Sequence, residues 1–557
     1  MDHKTNNQRG IQFRRTKRPA SSVMDEMFAS STMSSTIPRQ RIGGRSHCGR
    51  PASHRLAFTH SYASGNPMKK HTLSLLSATL LTLLGTSADA CTGLIVGKGA
   101  SADGSVMIAR NEDFGVNNWN KYLAFRPAQQ NEGKVWKLGN GLEVPMPKAF
   151  FAYSAIRDWD ATASDPNGKY YEERGINEFN VAISATTSAE VNDKAQKADP
   201  LIEKGVIEAI IPTLILPQAK TAKEGVALLG RYVEQYGAGE GNSLYLADVN
   251  EAWLMEIGSG HHWIAVRVPD DSYAMVANGL RIHGVNLDGA DVLHSLKLLE
   301  FVREHKLLDN ADPKDFNFAK AFGVIADPYN VDREWLGQKM LTASHKQATR
   351  QAQYPLFMKP DAPIAVPDVA RLLSATYEGT PLAGKAERPI RIDRQLESHV
   401  IQLRKEMPKE LQGLIWQSYG VLAESVMVPL YNTLESYPLP YRTGSDSYSD
   451  DSAYWQFRSL TALASADPDK YLPLLRGVWS KESSKLYQEV ALLDQSLKQA
   501  YANDKATAIG LAADYSYGQL EQTYQMAKEL RYKLMTDLTK RTEQKYSPEE
   551  FKKIMSL

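Results

Sequence analysis

The sequence predicts an α+β protein with a strand-rich part from residue 91 to about 365 and a helix-rich part from 366 to 557. Short apolar runs rich in β-branched residues, each bounded by turn-forming residues, dominate the first part and predict strands. Apolar residues that recur every three or four positions dominate the second part and predict amphipathic helices. A chain of 557 residues is long enough for more than one domain, which is consistent with this division.

The strand-rich part begins with a predicted β-hairpin. Residues 92–96 are apolar and β-branched, residues 102–105 have the composition of a turn, and residues 106–109 form the second strand candidate. Further segments of the same character predict strands at 181–184, 243–246, 252–256 and 263–268.

Helical periodicity is clearest at 222–236 and at 520–538. In the first segment Val226 and Val233 lie on one face, and in the second the apolar residues recur at spacings of three and four. Near the C-terminus, the Ser-Pro pair at 547–548 has the pattern of an N-cap followed by a first-turn proline, which predicts one more helix.

The overall composition is that of an ordinary globular protein. Hydrophobic residues make up 43% of the chain, charged residues make up 23%, and the formal net charge is +1. The basic excess that is typical of nucleic-acid-binding proteins is missing from this composition. We therefore expect no nucleic acid partner.

The first 90 residues do not have the pattern of a folded domain. Residues 1–67 are rich in Arg, Ser, His and Gly without strand or helix periodicity. They are interpreted as a disordered basic extension or as an over-long start that precedes the true initiator, Met68. Residues 68–90 have the three parts of a signal peptide: two lysines, an apolar run at 73–84, and a small-x-small sequence before Cys91.

The signal peptide predicts an exported protein, periplasmic or secreted, that signal peptidase cleaves before Cys91. The apolar run is shorter than the ~20 residues that a membrane-spanning helix needs, so we expect no membrane span in the mature chain. Lipoprotein processing would attach a lipid to the Cys91 thiol. It is disfavoured because the charged Asp89 stands where that signal has a small uncharged residue.

Cysteine usage indicates a reactive thiol. The chain has two cysteines, Cys48 and Cys91, and cleavage before Cys91 removes the other, so no disulfide is expected. An N-terminal cysteine carries a thiol with a pKa of about 8.5 and an α-amine with a pKa of roughly 8. The amine can accept the thiol proton, so one residue provides nucleophile and base. The alternative is that Cys91 is a packed first residue of a strand.

Three more residues are candidates for the same site. The predicted hairpin returns residues 110–113 to the neighbourhood of Cys91, where Asp113 is suited to hold the α-amine. Arg110 is suited to favour the thiolate or to bind a substrate carboxylate. Asn278 follows an apolar run and is a candidate donor to an oxyanion. The alternatives are a solvated hairpin end for the first two and a turn residue for Asn278.

No metal or cofactor is predicted. His261 and His262 are adjacent, and adjacent residues on a strand point to opposite faces, so they cannot easily share one ion. Trp253 and Trp263 are interpreted as core residues or as part of a pocket wall.

Several segments together resemble one known family. They are Cys91-Thr92-Gly93, 109–113 (Ala-Arg-Asn-Glu-Asp), 175–178 (Gly-Ile-Asn-Glu), the glycine-rich 237–243, 251–253 (Glu-Ala-Trp), 261–263 (His-His-Trp), 267–271 (Arg-Val-Pro-Asp-Asp), Asn278, 428–431 (Val-Pro-Leu-Tyr) and 452–455 (Ser-Ala-Tyr-Trp). By their order and spread, the chain from Cys91 nearly to its end resembles the cysteine dipeptidases. These belong to the N-terminal-nucleophile (Ntn) hydrolases and are relatives of penicillin V acylase and bile salt hydrolase.

The resemblance implies an αββα sandwich, in which two antiparallel sheets lie between helix layers and the nucleophile begins a central strand. It implies hydrolysis of dipeptide amide bonds through a thioester acyl-enzyme. Carried over by position, Cys91 is the nucleophile and base and Asn278 is the oxyanion donor. Arg110 and Asp113 lie beside the nucleophile. On this basis residues 91–365 are the catalytic domain.

Two residues of the related acylases have no assigned counterpart. Those acylases have an Asn ten residues after the Asn of the Gly-x-Asn-Glu segment, whereas the same count from Asn177 reaches Thr187. The second oxyanion donor is therefore left unassigned. The acylases also use a later arginine, and the sequence does not decide its position between Arg281 and Arg333.

Two alternative functions stay open at this point. The first is an acylase that cleaves a non-peptide amide of the penicillin or bile-salt type, because the substrate pocket cannot be inferred from the sequence. The second is an exported binding protein without catalytic activity. The expected partners are a dipeptide or small amide and signal peptidase, and the oligomeric state, a homo-oligomer included, is open.

Overall fold

The computed structural model describes residues 91–113, 120–158, 172–445, 447–544 and 548–556. The predicted basic extension and signal peptide, residues 1–90, lie outside the described residues. The same is true of Ser547, the predicted N-cap of the last helix.

The elements are numbered here in chain order. The strands are β1 (Thr92–Val96), β2 (Val106–Asp113), β3 (Lys121–Arg126), β4 (Gln129–Gln130), β5 (Val135–Lys137), β6 (Glu143–Pro145), β7 (Ala149–Phe150), β8 (Tyr153–Asp158), β9 (Glu172–Asn177), β10 (Ala182–Ser188), β11 (Asn242–Ala247), β12 (Ala252–Ile257), β13 (Trp263–Arg267), β14 (Tyr273–Val276), β15 (Val292–His294), β16 (Gln395–Leu403), β17 (Gly413–Tyr419) and β18 (Val428–Tyr431). The helices are α1 (Asp193–Ala198), α2 (Ile211–Ile215), α3 (Ala222–Tyr236), α4 (Leu298–Glu304), α5 (Phe318–Phe322), α6 (Pro328–Leu341), α7 (Val366–Leu373), α8 (Ala453–Ala464), α9 (Pro468–Asn503), α10 (Lys505–Gln544) and α11 (Pro548–Met555).

Two large antiparallel sheets form the centre of the fold. The six-stranded sheet has the order β14-β1-β2-β16-β17-β18, and the eight-stranded sheet has the order β15-β13-β12-β11-β10-β9-β8-β3. Two short ribbons, β4 with β7 and β5 with β6, stand apart from them. Strand β1 lies between β14 and β2, which places Cys91 at the entry to an interior strand.

The two sheets pack face to face between layers of helices. Strand β2 contacts β10, β11 and β12 across the interior, α2 and α3 cover the eight-stranded sheet, and α7, α8 and α10 cover the six-stranded sheet. Alternation along β12 shows the layering, since Ala252 and Leu254 join the core between the sheets whereas Trp253 and Met255 join the core under the helices. These layers confirm the predicted α+β sandwich of the αββα type.

The six-stranded sheet draws strands from both sides of residue 365, where the sequence was divided. Strand β16 pairs with β2 from Leu403 opposite Val106 to Gln395 opposite Asp113. The long helices begin only with α8. Strand β16 carries buried polar residues between its apolar ones, so it lacks the continuous apolar run that marks β1.

Several elements match the sequence prediction closely. Strand β1 and helix α3 have the predicted bounds, and α10 contains the periodic segment 520–538. Strand β2 is longer than predicted because it continues through the polar residues 110–113, all of which are buried. The residues that the structure describes include no helix that is both long and apolar enough to cross a membrane.

Candidate active site

The strand pairing brings the four predicted site residues to one end of the six-stranded sheet. Cys91 immediately precedes β1 and is 4% exposed. In the β1–β14 register Gly93 lies opposite Val276, so continuing this register by two residues places Asn278 opposite Cys91. On the other side of β1, Arg110 lies opposite Gly93.

Gly93 is required by the close approach of the two sheets. A methyl group at this position would overlap the ring and hydroxyl of Tyr245, which is on β11 of the opposite sheet. The small residue after Cys91-Thr92 therefore lets the eight-stranded sheet pack directly against the strand that starts at the candidate nucleophile.

Arg110 is fully buried in a pair of ion pairs. Its Nη1 donates to Oε1 of Glu208 at 3.0 Å, and its Nη2 forms an ion pair with Glu173 on β9. The alternative of a solvated hairpin end is therefore wrong for this residue. Because two carboxylates already bind the guanidinium, Arg110 is poorly placed to receive a substrate carboxylate, one of the two roles that the sequence suggested for it.

Asp113 is buried against arginines at the end of β2. Its carboxylate forms an ion pair with Arg388, and Arg333 and Arg394 add positive charge nearby. Burial raises the pKa of Asp113 to about 6, although these three arginines favour its ionised form. Asp113 is also buried, so the alternative of a solvated hairpin end is wrong for both Arg110 and Asp113.

Arg333 on α6 joins Cys91 to Asn278. Its Nη1 donates to the carbonyl oxygen of Cys91 at 2.6 Å and to Oγ1 of Thr92 at 2.9 Å. Its Nη2 donates to Oδ1 of Asn278 at 2.9 Å. This contact orients the Asn278 amide, whose Nδ2 donates to the carbonyl of Ser188 at 3.3 Å.

Arg281 is the other arginine that the sequence left open, and it contacts different residues from those that Arg333 contacts. Its Nε lies 3.2 Å from Oε2 of Glu334, and its Nη2 donates to the carbonyl oxygen of Tyr354 at 3.1 Å. Of these two arginines, it is Arg333 that contacts Cys91 directly. Burial and the neighbouring Arg388 lower the pKa of Arg333 to about 9, which leaves it charged at neutral pH.

The surroundings of Cys91 favour a neutral thiol. Burial raises the pKa of the Cys91 thiol well above its usual range, and Arg110 opposes this rise. The carboxylates of Glu208, Asp113 and Glu112 add to it. A nucleophilic role for this thiol therefore requires a base that removes its proton.

A cluster of carboxylates beside Arg110 is paired with the side chain of Lys121. Glu112, Asp158 and Glu173 lie close enough together to share an ion. The ammonium group of Lys121 forms ion pairs with the first two and lies 3.6 Å from Oε1 of Glu173. The geometry is thus that of a buried lysine with acidic partners.

The two adjacent histidines contact different groups. Nδ1 of His261 lies 2.8 Å from Oδ1 of Asp199, and Nδ1 of His262 lies 2.9 Å from Oγ of Ser295. The pair therefore does not converge on a common point through these nitrogens.

A second hydrogen-bonded group lies between the sheets. Oγ of Ser184 on β10 is 2.9 Å from Nε2 of His399 on β16, and Nδ1 of His399 is 2.8 Å from Oε1 of Glu397. All three side chains are completely buried, and His399 lies opposite Arg110 in the β2–β16 register. We refer to these three residues as the Ser-His-Glu group.

Most of the charged residues around Cys91 could not be predicted from the sequence. Glu173, Glu208 and Arg388 lie outside the segments that carried the prediction, and each reaches the site from a different element or loop. Strand β9 gave no local signal, because its sequence Glu-Glu-Arg-Gly-Ile-Asn lacks the apolar run that predicts a buried strand, although all six residues are buried. Thr187, reached by the count from Asn177, lies on β10, and its side chain is outside the described set.

Comparison with known proteins gives a consistent result. The family described as "Peptidase family C69" matches residues 90–481. "Probable dipeptidase B" of Streptococcus pyogenes serotype M1 is 33% identical over 501 residues, which cover 85% of this chain and 98% of that protein. "Probable dipeptidase" of Latilactobacillus sakei is 35% identical over 392 residues, which cover 67% of this chain and 80% of that protein.

A third relative agrees with these two. "Probable dipeptidase A" of Streptococcus pyogenes serotype M3 (strain SSI-1) is 34% identical over 406 residues, covering 69% of this chain and 86% of that protein. The family match spans well over half of the chain and contains every predicted site residue, which confirms the resemblance to the cysteine dipeptidases. The chain belongs to peptidase family C69.

Proposed function

We propose that the protein is an exported cysteine dipeptidase whose nucleophile, Cys91, becomes the first residue of the mature chain. The observation that carries this proposal is the position of Cys91. Its buried thiol stands at the head of the interior strand β1, and Arg333 holds its carbonyl oxygen. Arg110 and Asp113 both act on its electrostatics.

The missing base is the reason to propose cleavage before Cys91. The described groups that act most strongly on the thiol are one arginine and three carboxylates, with no histidine among them. A freed α-amine, with an ordinary pKa of roughly 8, supplies a base on the same residue. Asp113 is suited to hold the resulting ammonium group, since its pKa of about 6 keeps it ionised at neutral pH.

The proposed reaction proceeds through a thioester. The α-amine takes the thiol proton as Sγ of Cys91 bonds to the scissile carbonyl carbon, and the carbonyl oxygen becomes an oxyanion that Nδ2 of Asn278 stabilises. Collapse of this intermediate breaks the C–N bond, and the leaving amine takes the proton from the α-ammonium group. Water then attacks the thioester by the same path in reverse, which releases the acid and restores the thiol.

One feature of the comparisons supports this start of the mature chain. The family match begins at residue 90, next to the predicted cleavage site. A leader sequence ahead of the catalytic unit is consistent with this boundary.

The substrate class follows from the relatives. Three of them, from two genera, carry the name "Probable dipeptidase" with or without a letter. We extend this substrate to the present chain, so the bond cleaved is the single amide bond of a dipeptide.

Two preparations test the start of the chain directly. One is released from a cleavable tag so that it begins at Cys91, and the other retains a single glycine before Cys91. The first is expected to hydrolyse a panel of dipeptides, and the second to be slower by about 10²–10⁴-fold because its α-amine is blocked. Thermal unfolding of both preparations controls for folding.

N-terminal sequencing and intact mass of the exported protein complete the test. The expected result is a chain that begins at Cys91 with an unmodified thiol. Equal activity of the two preparations, or a lipid on the sulfur, would contradict the proposal. Hydrolysis of penicillin V or bile-salt amides with no hydrolysis of dipeptides would instead support the acylase alternative.

A further inference from the structure

A cavity of about 430 Å³ opens beside the candidate active site. Its wall includes Tyr329 on α6 and the segment that leads into β16, with Arg388 and Arg394 among its residues. A volume of this size falls within the range of small-molecule sites. The cavity is therefore large enough for a dipeptide.

The cavity wall is joined to the reacting residues by direct contacts. Arg388 forms the ion pair with Asp113. The guanidinium of Arg333, which donates to the carbonyl of Cys91, lies over the ring of Tyr329 at 4.9 Å from its centroid. The cavity wall is thus linked to the surroundings of Cys91 by two routes, Arg388 to Asp113 and Tyr329 to Arg333, although Cys91 is not part of the wall itself.

Arg394 differs from the other arginines of the site. Arg388 is bound to Asp113, and Arg333 is bound to Cys91 and Asn278. The buried Nε of Arg394 has no hydrogen-bond acceptor within the described part of the chain, and its charge acts on Asp113 without a hydrogen bond between them. A buried donor without an acceptor destabilises the folded state, and a ligand that supplies the acceptor removes this cost.

We propose that Arg394 binds the C-terminal carboxylate of the dipeptide substrate. This inference rests on the proposed function and deepens it, because it assigns a residue that selects dipeptides. In a dipeptide the free carboxylate is one residue from the scissile bond, whereas a longer peptide has a neutral amide there. A guanidinium binds a carboxylate with charge-assisted, frequently bidentate hydrogen bonds, so it discriminates between these two groups.

Two acidic residues also line the cavity. Glu387 and Asp393 are exposed, whereas Arg394 is partly buried and its Nε is shielded from solvent. Screening by water weakens the repulsion between these acids and a substrate carboxylate. The buried guanidinium edge therefore determines where the carboxylate binds.

The test compares a dipeptide with its C-terminal amide, using enzyme that begins at Cys91. Wild-type enzyme is expected to prefer the free dipeptide in kcat/KM by about 10- to 100-fold. Arg394→Gln is expected to remove most of this preference, chiefly through KM for the free dipeptide, while activity on the amide falls much less than activity on the free dipeptide. Arg394→Lys is expected to retain part of the preference because it keeps the charge but loses the bidentate geometry.

Arg391→Gln is the matched control. Its Nη1 donates to Oε1 of Glu424 at 3.2 Å, and it does not line the cavity. The Arg391→Gln variant is expected to keep the wild-type kcat/KM for both substrates. As a second measurement, Arg394→Gln in a Cys91→Ala background should weaken dipeptide binding in calorimetry by about 10-fold or more.

The possible failures are distinguishable. Equal loss on dipeptide and amide in Arg394→Gln, or no loss on either, overturns the role of Arg394 and leaves the dipeptidase proposal intact. Hydrolysis of neither substrate by wild-type enzyme overturns the proposed function, and unchanged dipeptide binding by the double variant then overturns the carboxylate site as well.

Discussion

Cys91 precedes β1, and the Ser-His-Glu group lies two strands away on β16 and on β10 of the opposite sheet, yet each has the residues of a nucleophilic centre. Ser184, His399 and Glu397 have the hydrogen-bond order of a serine hydrolase triad, with contacts of 2.9 and 2.8 Å. Cys91 has no described histidine among its strongest electrostatic neighbours. By side-chain geometry alone, the serine is the better equipped of the two.

The surroundings of the two residues reverse this ranking and favour Cys91 over Ser184 as the nucleophile. The Ser-His-Glu group is completely buried between the sheets, and Glu397 also accepts from Nε2 of Gln417 at 2.7 Å. Its polar atoms therefore satisfy one another across the interface between the sheets. Cys91 instead lies at the end of a sheet, where Arg333 orients an amide beside it and a cavity adjoins its neighbours. A nearby cavity and an oriented amide donor, rather than a triad, are the features that support the proposed catalytic role of Cys91.

The largest expected effect separates the two nucleophiles. Cys91→Ala is expected to lower kcat by at least about 10⁴-fold, because removing the nucleophile of a covalent mechanism removes its chemistry. Ser184→Ala is expected to keep kcat within about twofold, with any loss confined to stability, roughly 1–3 kcal/mol for a buried hydrogen bond. Dipeptide hydrolysis by the two purified variants is the measurement, with far-UV circular dichroism as the control for folding.

This comparison can fail in a recognisable way. A folded Ser184→Ala enzyme without activity, alongside an active Cys91→Ala enzyme, would reverse the assignment of the nucleophile.

The sequence was sufficient for the parts of this comparison that depend on local pattern. The run 92–96 predicted β1 because its residues are apolar and β-branched, and the predicted turn brought 110–113 back toward Cys91. The roles given to Cys91, Arg110, Asp113 and Asn278 stay predictions, although the structure brings these residues together.

The rest of the site depends on contacts between distant parts of the chain. Arg333 reaches Cys91 from a helix that is 242 positions away in sequence, and Arg388 reaches Asp113 across 275 positions. No spacing rule connects such residues. The Ser-His-Glu group could not be predicted for the same reason, since Ser184 and His399 lie on strands of different sheets. Strand β16 itself was hard to predict because buried polar residues interrupt its apolar ones.

The next largest effect compares two buried arginines, one in each region. Arg333→Met is expected to lower kcat by about 10²–10³-fold, because the Asn278 amide loses the contact that orients it toward an oxyanion. Arg174→Met is the matched control. Arg174 is equally buried, and its Nη2 donates at 2.6 Å to Gln417, the partner of Glu397.

Arg174→Met is expected to change the free energy of unfolding and leave kcat within about twofold, since its contacts end in the region without proposed chemistry. Single-turnover rates together with urea unfolding distinguish the two outcomes. Equal losses of kcat in both variants would mean that the arginines act only through the packing of the sheets.

The smallest effect concerns stability and its dependence on pH, which is expected to have opposite signs in the two regions. Burial would raise the pKa of Glu397, but its contact with His399 outweighs burial and lowers that pKa to about 2. Burial raises the pKa of Asp113 to about 6.

A lowered carboxyl pKa stabilises the folded state above the unfolded value near 4.5 and loses this contribution as the pH falls toward 2. A raised pKa stabilises the folded state at low pH and loses its contribution as the pH rises from about 4 to 6.

Two variants and two pH windows test this contrast. The stability of wild type relative to Glu397→Gln should increase by up to about 3 kcal/mol from pH 2 to 4.5, and its stability relative to Asp113→Asn should decrease by a similar amount from pH 4 to 6. Urea unfolding at several pH values measures both differences. Trends of the same sign would show that both carboxyls respond only to the overall charge of the protein. Opposite trends would show that the contact with His399 lowers the pKa of Glu397 while burial, against the opposing effect of the arginines, raises the pKa of Asp113, although their strands pair side by side.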